Sequence, residues 1–165
     1  MDGASQSADP WEGKPWMYSK PAGSSQLKYW KNEWGKVLLS RAEDENISLI
    51  DRNDLRKLQP FGRLDNDALS AVIDGLIESG SAKWWETGKS LRIYWRSLES
   101  WADIILAEAR RRNKNLIYGF QGLQEISPGT SGLPVADKRK ILDILVERQV
   151  ARWVEEENNI VKVIQ

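Results

Sequence analysis

The 165-residue sequence contains no cysteine and no histidine. Without thiols there is no disulfide framework, no cysteine-ligated zinc and no thiol nucleophile. Without imidazole the usual general base is missing, which removes Ser-His-Asp and Cys-His chemistry and leaves metal binding to carboxylates alone. Charge is balanced, with 24 Lys+Arg against 24 Asp+Glu. Polyanion binders accumulate Lys and Arg, so a generic nucleic-acid binder is disfavoured. No run approaches the ~20 apolar residues of a spanning helix. Residues 1–9 are small and polar, without the apolar core of a signal peptide. The lack of Cys fits a reducing compartment. Asn46-Ile47-Ser48 matches a glycosylation pattern, and without a secretory signal it reads as chance.

What is abundant is tryptophan: nine Trp against four Tyr and two Phe. Trp sits where an apolar body meets a polar rim, so the composition leans towards a protein rich in interfaces.

Residues 1–25 are dominated by Gly, Ser, Ala and Pro and read as a flexible tail. Two aromatic spots lie in it, Pro10-Trp11 and Pro15-Trp16-Met17-Tyr18. From Leu27 the apolar period is helical, with Tyr29, Trp30, Trp34, Val37, Leu38 and Arg41 on one face. Ser24 or Ser25 is expected to cap that helix. Ile47-Ser48-Leu49-Ile50 alternates like a short strand. Asp51 or Asn53 opens a short helix that Pro60 stops. Asp65 caps a third helix with the stripe Leu69, Val72, Ile73, Leu76 and Ile77, closed by Gly80. Strands at 82–86 and 91–95 flank Thr87-Gly88-Lys89 as a hairpin.

The same order recurs from Ser100. A helix carries Trp101, Ile104, Ile105 and Ala109. A strand follows at Leu116-Ile117-Tyr118, then a weak helix around Leu123 and Ile126, then a helix with Ile141, Leu142, Leu145 and Val146. A hairpin at 151–155 and 160–164 closes the repeat. Residues 76–86 align with 145–155 at an offset of 69, and Ile47-Ser48-Leu49 aligns with Leu116-Ile117-Tyr118. Trp34 lies over Trp101 at offset 67, and Leu91-Arg92-Ile93 over Val161-Lys162-Val163 at 70. Helix, strand, helix, helix, strand, strand is the order of a winged helix. The fold class is therefore α+β: two tandem winged-helix domains, 26–97 and 98–165, each of three helices and a small antiparallel sheet. The short connection at 96–100 predicts a rigid pair.

A winged helix by default reads DNA through its third helix. Here the third helix of the first repeat carries Asp65, Asp67, Asp74 and Glu78 and no Lys or Arg. The second mixes Lys138, Arg139, Lys140 and Arg148 with Asp137, Asp143 and Glu147. A tandem winged-helix transcription regulator is therefore the alternative rather than the first reading. Arg110-Arg111-Arg112 and Lys114 form the one basic cluster, either helix-terminal charge or a contact for an acidic partner or anionic lipid. Gly88-Lys89-Ser90 lacks the upstream Gly of a phosphate loop, because Lys83 stands there. No catalytic constellation and no cofactor or metal site is found.

Trp34, Trp101, Trp84 and Trp153 recur at equivalent places and read as core or wing-base packing, while Trp95 lies at the domain junction. Trp11 and Trp16 stand beside Pro and read as anchors for another protein, against the alternative that the tail folds back on its own domain.

The junction Leu91-Arg92-Ile93-Tyr94-Trp95-Arg96-Ser97-Leu98-Glu99-Ser100-Trp101 resembles that of the Vps25 family, the small subunits of ESCRT-II. Residues 80–84 and Pro15-Trp16-Met17-Tyr18 are similar to the same family. The resemblance covers most of the chain. It implies a non-enzymatic adaptor of multivesicular-body sorting, cytoplasmic and recruited to membranes indirectly, with no nucleic-acid partner. Pro15, Trp16 and Tyr18 would dock on Vps22-like and Vps36-like subunits, with Pro10 and Trp11 as an extra anchor. The second winged helix would bind a Vps20-type ESCRT-III subunit, with Leu116, Tyr118, Phe120, Arg139 and Lys140 as the region to search. Trp95, Arg96 and Trp101 would form the junction. Lys20-Pro21-Ala22-Gly23 departs from the family's second Pro-aromatic motif. That departure implies a divergent member, for example of an archaeal ESCRT system, docking mainly through residues 15–18.

Overall fold

A computed structural model describes residues 9–86 and 88–164. Residues 1–8 of the expected tail, Thr87 of the first hairpin turn and Gln165 lie outside the described residues. The chain divides into two compact units, Met1–Trp95 and Arg96–Gln165.

In the first unit, α1 (Ser24–Glu45) buries Trp30, Trp34, Leu38 and Ala42. Their four-residue spacing puts them in one row along the helix. Tyr29, expected on this face, points to solvent. The helix starts one turn earlier than its apolar pattern, at Gly23, with no side-chain cap. It ends at Asn46, which adopts φ 54°, a left-handed cap that Asn tolerates. Strand β1 (Leu49–Asp51) leads into α2 (Arg52–Lys57), where the Asp51 carboxylate accepts from the Asp54 N–H. Helix α3 (Asn66–Glu78) is capped by Asp65, which accepts from the Ala68 N–H, and it buries Leu69, Val72, Ile73 and Leu76. At Gly75 an added Cβ would lie 3.0 Å from the Lys31 Cβ, so α1 and α3 approach closely where a side chain is missing. Strands β2 (Ala82–Trp85) and β3 (Ser90–Ile93) form the hairpin, and the sheet order is β1-β3-β2.

The second unit repeats the plan. Helix α4 (Leu98–Arg111) is capped by Ser97 and buries Trp101, Ala102, Ile105 and Ala109. Ile104, expected among them, is exposed. Then come β4 (Leu116–Tyr118), α5 (Gly119–Ile126), α6 (Val135–Glu147), β5 (Ala151–Glu155) and β6 (Ile160–Val163), with sheet order β4-β6-β5. These are two winged helices in tandem.

The register corrects one alignment. Ile50 pairs with Leu91, and Ile117 pairs with Val161. Leu49-Ile50-Asp51 therefore matches Leu116-Ile117-Tyr118, at the offset of 67 shared by Trp34 and Trp101. The two extra residues fall between the first strand and the third helix. One more falls in the second hairpin, which bulges between Trp153 and Glu155.

The repeated Trp residues do not all play one part. Trp34 and Trp101 are fully buried. Trp84 is 40% exposed, contrary to the packing role expected of it. Its counterpart Trp153 lies under the Arg139 guanidinium, 4.5 Å from the ring centroid. At the same offset of 69 the first unit has Ser70, too short to cover a ring.

Candidate partner-docking site

Residues 9–23 lie against the first unit. Within them Pro15–Tyr18 form one 3-10 turn. Pro15 opens it with φ already set and no N–H to satisfy. The turn buries Met17 and leaves Trp16 63% exposed. The Met17 carbonyl accepts two indole N–H donors, from Trp30 at 2.8 Å and Trp34 at 2.7 Å. A carbonyl has two lone pairs, so both donors and the acceptor are satisfied at once.

Around this point the rings gather on Trp34. Trp11 lies 5.6 Å from it, Tyr18 5.5 Å, Phe61 5.4 Å and Trp30 6.2 Å, all tilted or edge-on. Those are the geometries the ring quadrupole favours. Trp11, read from the sequence as an anchor for a partner, is a core residue of its own unit at 9% exposure. The physical reason is the buried ring of Trp34, which packs against Trp11 and which composition cannot reveal.

A polar clasp closes the segment. The Asp9 carboxylate accepts from the Tyr18 hydroxyl, from the Trp11 N–H at 2.9 Å, and from Arg63 at 2.9 Å. The Arg63 guanidinium stacks over the Tyr18 ring at 3.7 Å. The Tyr18 hydroxyl, first, holds the Asp9 carboxyl below its ordinary range, helped by the Trp11 N–H and Arg63. Burial, then the bond to Asp9, pushes the Tyr18 phenol up to about 12.

Beside the turn lies an open groove of about 590 Å³, lined by Trp16, Met17, Lys20, Pro21, Tyr29 and Trp30 among others. Pro10 and Pro15 are exposed and Tyr18 is half-buried. The structure thus divides the expected docking set: Pro15 and Trp16 face outward, while Trp11 and Tyr18 hold the segment down. Sequence reading did not single out Asp9, Arg63 or the Met17 carbonyl. Asp9 and Arg63 belong to no motif, Met17 acts through its backbone rather than its side chain, and only long-range contact brings them together.

The second candidate region is less unified. Tyr118 is exposed at 61%, and Leu116 and Phe120 are half-buried. The Lys138 ammonium sits 6.0 Å over the Phe120 ring. Arg139 bonds to Asp143 at 3.0 Å and Glu156 at 2.6 Å as well as covering Trp153, and Lys140 is exposed. Tyr118 and Leu116 share a sheet face, opposite the buried Ile117. At the junction, Trp95 donates its indole N–H to the Ile47 carbonyl at 3.0 Å, within the first unit. Arg96 stacks on Trp101 at 4.5 Å, within the second.

The three arginines of the basic cluster are engaged locally. Arg111 and Arg112 bond to Glu108 at 2.6 and 2.5 Å, and the hydrogen bonds from Arg111, then Arg112, hold that carboxyl down at about 2. Arg110 reaches the Ile164 carbonyl at 3.0 Å. Among the described residues no helix is long and apolar enough to cross a membrane.

Paired three-helix units, each with a three-stranded sheet and a hairpin wing, define a tandem winged-helix protein. Its solvent-facing aromatic turn is the kind of feature that contacts other proteins. The chain belongs to the family of ESCRT-II complex subunits, whose family model matches residues 17–127. Its fold is similar to the crystal structure of subunit VPS25 of the endosomal trafficking complex ESCRT-II, with a TM-score of 0.69 and 17% identity over 95% of this chain and 99% of that one. It is also similar to a chain in the crystal structure of the ESCRT-II complex of VPS22, VPS25 and VPS36, with a TM-score of 0.63 and 16% identity over 94% and 98% of the two chains. No curated protein matches the sequence.

Proposed function

We propose that this chain is a non-enzymatic assembly subunit of an ESCRT-II-like complex, docking on Vps22-like and Vps36-like subunits through its N-terminal aromatic turn. The observation that carries the reading is Trp16, 63% exposed on a turn whose carbonyl is held by two buried indoles. A large ring fixed in solvent is costly to a monomer and useful to an interface, where pre-ordered aromatic side chains lose little entropy on binding. Family membership supports the assembly role. VPS22 and VPS36 accompany VPS25 in the similar complex.

The second unit then links the complex to a Vps20-type ESCRT-III subunit, with exposed Tyr118 as the first residue to examine. The chain acts in the cytoplasm and reaches membranes through its partners. No nucleic-acid partner is required. Asp65 is committed to its helix cap, and Asp67 and Glu78 meet Lys20 and Lys31. The third helix of the first unit has no Lys or Arg of its own, and the lysines beside it are engaged by its carboxylates.

Trp16→Ala is the direct test. It removes an exposed ring and leaves the Met17 carbonyl in place, so thermal stability is expected to hold. Co-purification with the Vps22-like or Vps36-like subunit is expected to be lost. An unchanged complex would remove the docking role of this turn.

A further inference from the structure

Three buried tryptophans meet in the first unit, Trp11, Trp30 and Trp34, and they are not served alike. Trp30 and Trp34 both donate to the Met17 carbonyl. Trp11 is 9% exposed, yet its indole N–H meets no acceptor among the described residues. A buried donor without a partner carries a desolvation cost that a new acceptor would remove. The seat against Trp34 therefore suits the Trp11 ring and not its polar edge.

The polar contacts that hold residues 9–12 lie at the surface. The Asp9 side chain is 33% exposed and that of Arg63 51%. Tyr18, which completes the clasp, is half-buried. Ion pairs so open to water contribute little.

Behind the clasp stands Gly13, with φ +78° and nothing within 4 Å of where a Cβ would be. A glycine with left-handed φ and no neighbours is a natural joint. One backbone bond crosses it, from the Lys14 N–H to the Trp11 carbonyl at 2.8 Å. Beyond the joint the turn at 15–18 has its own anchor, the Met17 carbonyl, to which residues 9–12 contribute nothing. Residues 9–12 can leave while the turn stays.

We propose that residues 9–12 are a strap, closed on Trp34 in the free chain and released when the turn engages a larger ESCRT-II subunit. Asp9, Arg63 and Tyr18 keep it shut, and Gly13 is its joint. This rests on the docking reading above and adds a step to it. The folded turn meets the partner through Trp16. Trp11 then leaves its own domain for an apolar site of the partner that offers its indole N–H an acceptor. Only the open fraction completes that contact, so whatever stabilises the closed strap weakens the assembled pair by the same factor. The clasp stabilises the free chain and restrains assembly.

The test uses the full chain and a separately purified larger subunit, comparing wild type, Asp9→Asn, Arg63→Gln and Trp16→Ala by melting temperature and dissociation constant. Each clasp variant is expected to melt at a lower temperature and yet bind roughly twofold to fivefold tighter, the range set by an exposed ion pair. A clasp that only supports the fold would leave affinity unchanged or lower it together with stability, and either result overturns the strap. The second readout is the Trp11 indole N–H resonance of the nitrogen-15-labelled chain, assigned with Trp11→Phe. On complex formation it is expected to move to a hydrogen-bonded position, while the resonances of Trp30 and Trp34 stay in place. A Trp11 signal that does not move also overturns the proposal. If Trp16→Ala abolishes binding while both clasp variants bind as wild type, the strap is wrong and the docking turn stands. If wild type forms no complex, both readings fall.

Discussion

Trp30 and Trp34, one helical turn apart on α1, donate their indole N–H groups to the same acceptor, the Met17 carbonyl. A segment with no regular strand or long helix of its own is fixed to the domain by this shared bond. The arrangement has a consequence for coupling. Trp30→Phe or Trp34→Phe alone leaves the carbonyl one donor, and the hydrogen-bond part of the loss is about 0.5–1.5 kcal/mol. The double variant leaves a buried carbonyl with neither, which adds a desolvation cost of about 1–3 kcal/mol. Urea unfolding of the four members of the cycle is expected to show a double loss that exceeds the sum of the singles by about 1 kcal/mol. Additive losses would mean that the carbonyl finds another donor.

The Asp9–Tyr18 clasp predicts two pH edges. Asp9 is held below its ordinary value, so its contribution is present above the ordinary carboxylate range and lost as pH falls through its depressed pKa. Tyr18 is raised from 10.0 to about 12. Ionising it in the folded state is disfavoured, so its contribution is complete below pH 10 and is lost as pH rises towards 12. In a tyrosinate absorbance titration the last of the four tyrosines to ionise is expected to be Tyr18, and Tyr18→Phe should delete that final step.

The repeated tryptophans predict unequal sensitivities. Trp101 is buried at the heart of the second unit, and truncation to Ala is expected to cost about 3–5 kcal/mol. Trp84 occupies an equally regular place in the repeat but stands 40% exposed, opposite Leu91 across the hairpin. Its truncation is expected to cost less than about 1 kcal/mol. Chemical denaturation of the two variants separates these cases. Equal costs would mean that the wing of the first unit is covered in solution.

This contrast shows what the sequence could reveal. Periodicity placed the buried rows of α3 and α6, because apolar side chains at three- and four-residue steps have one way to face a core. Asp51 and Asp65 were readable as caps, because a short acidic side chain ahead of an apolar run satisfies orphan N–H groups. The repeat and the tandem winged-helix order followed from these. The exposure of Trp84 was not readable from its own strand: Arg139, on a different element, covers Trp153, whereas Ser70 stands at the aligned position of the first unit. Nor was the burial of Trp11. Its ring neighbour Trp34 lies far along the chain, and no local pattern marks a tail that folds back. At the candidate site, Trp16 was identified from its Pro-aromatic context. Tyr29 was assigned to the buried face because it falls within the helical period, yet it lies on the flank of that stripe.

The last prediction comes from a place where the two repeats close the same turn differently. After α3 the chain turns at Gly80, φ +79°, and after α6 at Gln149, φ 64°, which are 69 residues apart. The left-handed region crowds a Cβ against the following carbonyl and costs a non-glycine residue roughly 1–2 kcal/mol. Around Gly80 an added Cβ would meet nothing within 4 Å, so Gly80→Ala is a purely conformational change, expected to destabilise by about 1 kcal/mol. At Gln149, a side chain that is exposed and makes no cap, the reverse change applies. Gln149→Gly relieves the backbone but loosens the unfolded chain, which offsets part of the gain. A net stabilisation of about 0.5 kcal/mol is expected, seen as a higher urea midpoint with an unchanged slope. A lower midpoint for Gln149→Gly would show that the glutamine side chain holds the turn in a way its exposure does not suggest.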